Sequence, residues 1–161
     1  QASLTGHLVM STLHTNSAPA AILRLTHMGL APFLVADSVK LVVAQRLVRV
    51  LCPACKHPAS LGEEEKSLLN AEQAKALRQV FRAEGCKSCR QSGFSGRKPI
   101  FEVMPVRSSE MRRLIVSRAG GDAINALAAA EGMIELRQAA LAAAAAGETS
   151  LAEAMEIILA E

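Results

Sequence analysis

Residues 5–15 read TGHLVMSTLHT, an apolar run enclosed by His7 and His14 and rich in hydroxyl side chains at its end. Residues 5 to 13 are mostly apolar and alternate poorly, which predicts a central strand buried on both faces by neighbouring helices. Packing alone does not ask for imidazoles and hydroxyls at the ends of such a strand.

Working outward, Asn16 and Ser17 are able to cap a helix whose first turn tolerates Pro19. Ile22, Leu23, Leu25 and Met28 form its expected buried side and Gly29 its stop. A second helix is expected from Pro32 to Val43, then a strand through QRLVRVL to Leu51. Residues 62–85 carry acidic groups early and basic ones later, which suits one or two helices ending at Gly85. SGFSGRKPIFEVMPV predicts a glycine-rich bend and a short strand, with Glu102 structural and Ser95 a turn residue. Helices are expected over 108–117, 121–130, 133–146 and 150–160, the last opened by Ser150 and Glu153 at capping-box spacing.

All four cysteines fall in two like pairs, Cys52-Pro-Ala-Cys55 and Cys86-Lys-Ser-Cys89. A two-residue gap lets both thiolates of a pair face one ion, and two pairs complete the tetrahedron of a closed structural zinc site. With four protein ligands no position is left for water, so such a metal staples a loop and does not catalyse. Two disulfides are disfavoured in a reducing compartment, and a redox role would need one active pair. Lys56, Lys87 and Arg90 would offset the negative charge of the four thiolates, while His57 is read as solvent-facing.

The net charge of +3 conceals a division, since residues 1–118 hold 17 Lys and Arg against 8 Asp and Glu, and residues 119–161 hold 1 against 7. A basic front suits phosphate, anionic lipid or an acidic protein face without choosing among them. With four Phe, no Trp and no Tyr there are few platforms for base stacking, and no nucleic-acid partner is expected. No apolar run reaches the length of a bilayer span and no signal pattern is evident, so the expected location is cytoplasmic. The chain opens at Gln1 in mid-pattern, which reads as a piece of something longer. No phosphate loop, dinucleotide fingerprint, HExxH or GxSxG elbow occurs.

The stretches TGHLVMSTLHT, RLTHMGLAPF, AQRLVRVLCPAC, the second cysteine pair with GFSGR, and GETSLAEAM occur in that order. Together they make the chain similar to the type II secretion and type IV pilus assembly ATPases, on the branch that carries the cysteine pairs. The resemblance implies an α/β fold: the C-terminal part of a RecA-like ATPase domain with a tetracysteine zinc-binding insertion and a C-terminal helical region. The implied divisions are 1–51 for the ATPase core with the histidine box, 52–97 for the metal-binding insertion and 98–161 for the short strand and helices.

It further implies an ATP hydrolase that is hexameric in the intact protein, uses ATP and Mg, and works on inner-membrane platform proteins as a peripheral cytoplasmic motor. The phosphate loop and acidic boxes of that family precede the histidine box, so this chain alone is expected not to hydrolyse ATP. At the end of a RecA-like strand His14 would sense the γ-phosphate, with Ser11 and Thr12 ordering the attacking water. His7 would touch nucleotide, or organise the interface or the box itself. Arg46 and Arg49 would meet phosphate or an adjacent subunit, or else form structural salt bridges. His27 is read as a surface residue at a helix end. One departure is Lys98-Pro99, where the family has a small residue and Gly. The alternative function is an autonomous zinc module mediating protein–protein interaction.

Overall fold

The structure is a computed structural model and describes residues 2–77 and 79–159. In chain order it contains α1 (Ala18–His27), α2 (Pro32–Ser38), β1 (Leu41–Leu51), β2 (Lys56–Ala59), α3 (Glu63–Ser67) and α4 (Ala71–Ala76). Then follow β3 (Val80–Ala83), β4 (Phe94–Pro105), α5 (Ser109–Val116), α6 (Gly121–Ala130), α7 (Leu136–Ala145) and α8 (Leu151–Leu159). Short 3-10 turns lie at Ala2–Thr5 and Lys87–Cys89. The chain is a mixed α/β structure whose strands form two sheets of two, β1 with β4 and β2 with β3.

Two compact units divide the chain. The first comprises residues 1–44 and 101–135, and here α1 packs on α2 and α6, and α5 on α2 and α6. Ser17 starts α1 as the sequence suggests: its hydroxyl accepts from the Ala20 N–H at 3.3 Å, and Pro19 sits in the first turn where no donor is missed. Ile22, Val35, Met104, Met111, Ile115 and Ile124 fill the core with aliphatic and thioether side chains, as a chain so poor in aromatics must. Ser108 caps α5 by accepting from Met111 N–H at 3.0 Å.

The second unit comprises residues 45–100 and 136–161. Its centre is the antiparallel β2–β3 hairpin, in register from Lys56 opposite Ala83 to Ala59 opposite Val80, with α7 and α8 packed on each other and on β3. Gly147, in the turn from α7 to α8, has φ +66°, and a Cβ there would lie 2.6 Å from the Phe81 ring. Only glycine lets the turn approach that ring. Alanines of α7 at positions 140, 143 and 144 are buried, so the alanine-rich run makes a thin helix that packs closely.

Several expectations are corrected. Residues 7–15 form no strand, because a strand needs neighbours to pair its backbone and, among the described residues, none lies beside this segment. Leu8 is 92% and Met10 88% exposed where burial on both faces was expected. The second helix stops at Ser38, since Leu41 already starts β1. Met28 is exposed, lying beyond the last turn of α1. The glycine-rich bend is present at Ser92 and Gly93, where Gly93 takes φ +76°, but it is shorter than expected: Ser95, read as a turn residue, and Gly96 already belong to β4, a strand of 12 residues that carries on through Pro99. The β2–β3 hairpin was not anticipated, because its strands are four residues each and broken by Pro58 and Arg82. The helix expected over 150–160 is α8, with residue 160 outside the described residues.

Candidate metal centre and nucleotide-facing segment

Cys52 follows the last residue of β1, and its N–H donates to the Gly93 carbonyl at 2.9 Å. The Cys55 and Lys56 N–H groups turn back onto the Cys52 carbonyl, at 3.3 and 2.9 Å, and close the first knuckle. The second knuckle is the Lys87–Cys89 turn, where Cys89 Sγ accepts from the N–H groups of Cys86 and Gly93, each at 3.2 Å. The hairpin between them brings the two knuckles together. Separations are 3.9 Å for Cys52–Cys86, 3.9 Å for Cys55–Cys89 and 3.6 Å for Cys86–Cys89, and all four Sγ atoms lie within 4.8 Å of one another.

A tetrahedron of sulfurs at about 2.3 Å from zinc has edges of about 3.8 Å, so the four thiols fit a tetrahedral thiophilic ion. All four cysteines are free thiols, so no disulfide competes. Burial pushes the Cys55 thiol up to about 12, its neighbouring thiols adding to this against the N–H of Gly85. Burial works the same way on Cys89, but the N–H groups of Cys86 and Gly93 and the neighbouring thiols outweigh it and bring that thiol down to about 6. An ion that binds here must therefore displace the proton held on Cys55.

The cations expected around the sulfurs divide. Lys87 and Arg90 are exposed beside the second knuckle, whereas Lys56 is engaged elsewhere: its Nζ donates to the Gly147 carbonyl at 2.8 Å and lies over the Phe81 ring at 5.3 Å. His57 is half-exposed, with Nδ1 3.9 Å from Glu84, and stands outside the sulfur cluster.

The histidine box is open to solvent. His7 is exposed and its Nδ1 lies 3.0 Å from Thr5 Oγ1; Ser11, Thr12 and His14 are exposed as well. These residues share one segment without regular secondary structure, and among the described residues no strand pairs with it. His27 is exposed at the end of α1, as expected.

Arg49 is fixed by Glu153 of α8, a residue the sequence marked only as a cap. The Glu153 carboxylate is 7% exposed and accepts from the Arg49 backbone N–H at 2.9 Å, from Nε at 3.0 Å and from Nη2 at 2.7 Å. The guanidinium stacks 4.2 Å from the Phe94 ring centroid, and the Thr149 hydroxyl donates to the Arg49 carbonyl at 2.7 Å. Only half of the capping box forms, Ser150 Oγ accepting from Glu153 N–H at 3.3 Å. The signal that could have found Glu153 is its place among Leu151, Ala154, Met155 and Ile157, on the apolar side of LAEAMEIIL. Arg46 is half-buried on β1. Among the described residues no helix is long and apolar enough to cross a membrane.

An α/β chain with a four-thiol cluster and an alanine-rich helical end belongs to a narrow class, and comparison with known proteins defines it. The sequence profile described as Type II/IV secretion system protein matches residues 1–156, and the chain belongs to this RecA-like family. It is 56% identical to type II secretion system protein E of Pseudomonas aeruginosa over 115 residues, 71% of this chain and 22% of that protein. Type II secretion system ATPase E of Vibrio cholerae is 43% identical over 98% of this chain and 31% of its own length. Type IV pilus assembly ATPase PilB of Myxococcus xanthus is 41% identical over 95% of this chain and 27% of its own. The chain thus spans less than a third of the length of these relatives.

Proposed function

We propose that this chain is the C-terminal portion of a hexameric cytoplasmic ATPase that powers type II secretion or type IV pilus assembly. The observation that carries the reading is the likeness to relatives named as secretion and pilus ATPases across 95% or more of the chain. The exposed apolar segment 7–15 supports it, since a run with Leu8 and Met10 almost bare in this chain is what a sheet strand looks like without its neighbours. In the intact motor, upstream strands pair with this segment and upstream residues grip the phosphates with Mg.

His14 then stands at the strand's C-terminal end, where a neutral imidazole accepts from the attacking water or donates to a phosphate oxygen. Ser11 and Thr12 order the same water, and His7 organises the box. Arg49 serves the fold through Glu153. Arg46 faces phosphate or the adjacent subunit. Zinc held by Cys52, Cys55, Cys86 and Cys89 staples the hairpin between the knuckles. The motor sits peripherally on the inner membrane, where it engages platform proteins of the apparatus.

Two experiments test this. The reading frame upstream, followed for about 150 residues, is expected to contain GxxxxGK[ST] and acidic boxes; their absence would remove the basis for a motor. The 161-residue chain alone is expected to hydrolyse no ATP, and turnover by it would contradict the division of the pocket.

A further inference from the structure

Glu102 lies on β4 between Ile100 and Met104, on the strand's buried side, and is 2% exposed. A carboxylate taken out of water is costly unless it is bonded. Its Oε1 accepts the backbone N–H of Ala18 at 2.6 Å, across 84 positions of sequence. Ala18 is the first residue of α1, 0% exposed, and its N–H is one of the donors that a helix leaves without an internal partner. A negative charge at that end is favoured by the helix dipole. Ser17 separately accepts from Ala20, so both the entry to α1 and its first turn are tied down.

The tie falls four residues after His14, at the point where the histidine box gives way to the helix. Residues 7–14 are exposed and the segment is irregular up to Asn16, whereas Ala18 and Pro19 are buried. The box is therefore fixed to the body of the first unit at its C-terminal end, and the Ala18 anchor is set by a side chain from β4.

We propose that Glu102 is a positioning residue: by holding the Ala18 N–H it sets where the box leaves the fold and so places the His14 imidazole against the nucleotide. This rests on the reading of His14 given above. Glu102 touches no nucleotide itself, and its action runs through the backbone from Ala18 to His14. A brace of that kind governs geometry during turnover more than ATP affinity, because misplacing a reacting group by an ångström costs rate even where binding survives.

The experiment uses the intact ATPase carrying Glu102→Ala, Glu102→Asp, Glu102→Gln and, in parallel, His14→Ala. Steady-state ATP turnover is measured on assembled protein, with hydrogen exchange read on the peptide spanning residues 14–22. Glutamine keeps an acceptor at the same reach, and its kcat is expected within about twofold of the parent. Aspartate keeps the charge but withdraws the acceptor by a methylene, and alanine removes it. Their kcat is expected to fall progressively, by about tenfold for alanine, with KM for ATP unchanged and faster exchange over 14–22.

Should alanine prevent assembly, the comparison of aspartate with glutamine decides. Turnover at the parent level in both aspartate and alanine variants, with His14→Ala impaired, would overturn the positioning role and leave the histidine reading standing. A rise in KM with kcat intact would likewise overturn it. If His14→Ala itself turns over like the parent, the histidine reading has failed and the role of Glu102 in catalysis falls with it.

Discussion

Glu153 shows how one side chain can carry a whole junction. Its carboxylate receives three N–H groups of Arg49, one from the backbone and two from the guanidinium, so that α8 is bonded to β1 just ahead of the first knuckle. Arg49 holds the Glu153 carboxyl below the usual glutamate value, against the opposing effect of burial. A depressed folded value means that the contribution is fully present above the unfolded glutamate's pKa of about 4.3 and is lost as pH falls through the folded value. Because Arg49 is 53% exposed, solvent screens the pair. Glu153→Gln is therefore expected to cost about 1–2 kcal/mol at pH 7 in urea unfolding, and the gap to the parent should be smaller at about pH 3, below the unfolded glutamate's value. An equal gap at both pH values would mean that packing and not charge holds the junction.

At the scale of elements, close approach matters as much as bonding. The α7–α8 turn is pressed onto β3 by the absence of a side chain at Gly147, and Lys56 holds the same turn through the Gly147 carbonyl. Gly147→Ala combines a positive φ with a clash against the Phe81 ring, and is expected to destabilise by about 1–3 kcal/mol in thermal unfolding. An unshifted melt would mean that the turn can move off the ring without cost.

What sequence made legible was governed by how local each signal is. Ser17 and Ser150 announce helices within a few residues of themselves, and α1, α5, α6 and α8 fall close to their expected places. The strand expected at 5–13 failed because an apolar run names no partner for its backbone, and among the described residues no strand pairs with this segment. The pairing of Arg49 with Glu153 joins positions 104 apart, and nothing in either neighbourhood names the other. The metal centre was legible because two identical knuckles state a coordination number by themselves.

For the whole molecule the four thiols bring distant positions together in a way that a chemist can reverse at will. Purified in reducing buffer, the protein is expected to hold about one zinc ion per chain; fewer than about 0.5, with four freely reactive thiols, would sink the site. Because neighbouring thiols must lose protons on binding, metal retention should weaken as pH falls. The most direct measurement of the central claim, that this chain supplies one side of a divided ATP pocket, is ATP turnover by the intact protein carrying His14→Ala. Turnover is expected to drop by about tenfold or more while the variant keeps the parent's assembled mass. Undiminished turnover at the parent's assembled mass would contradict it.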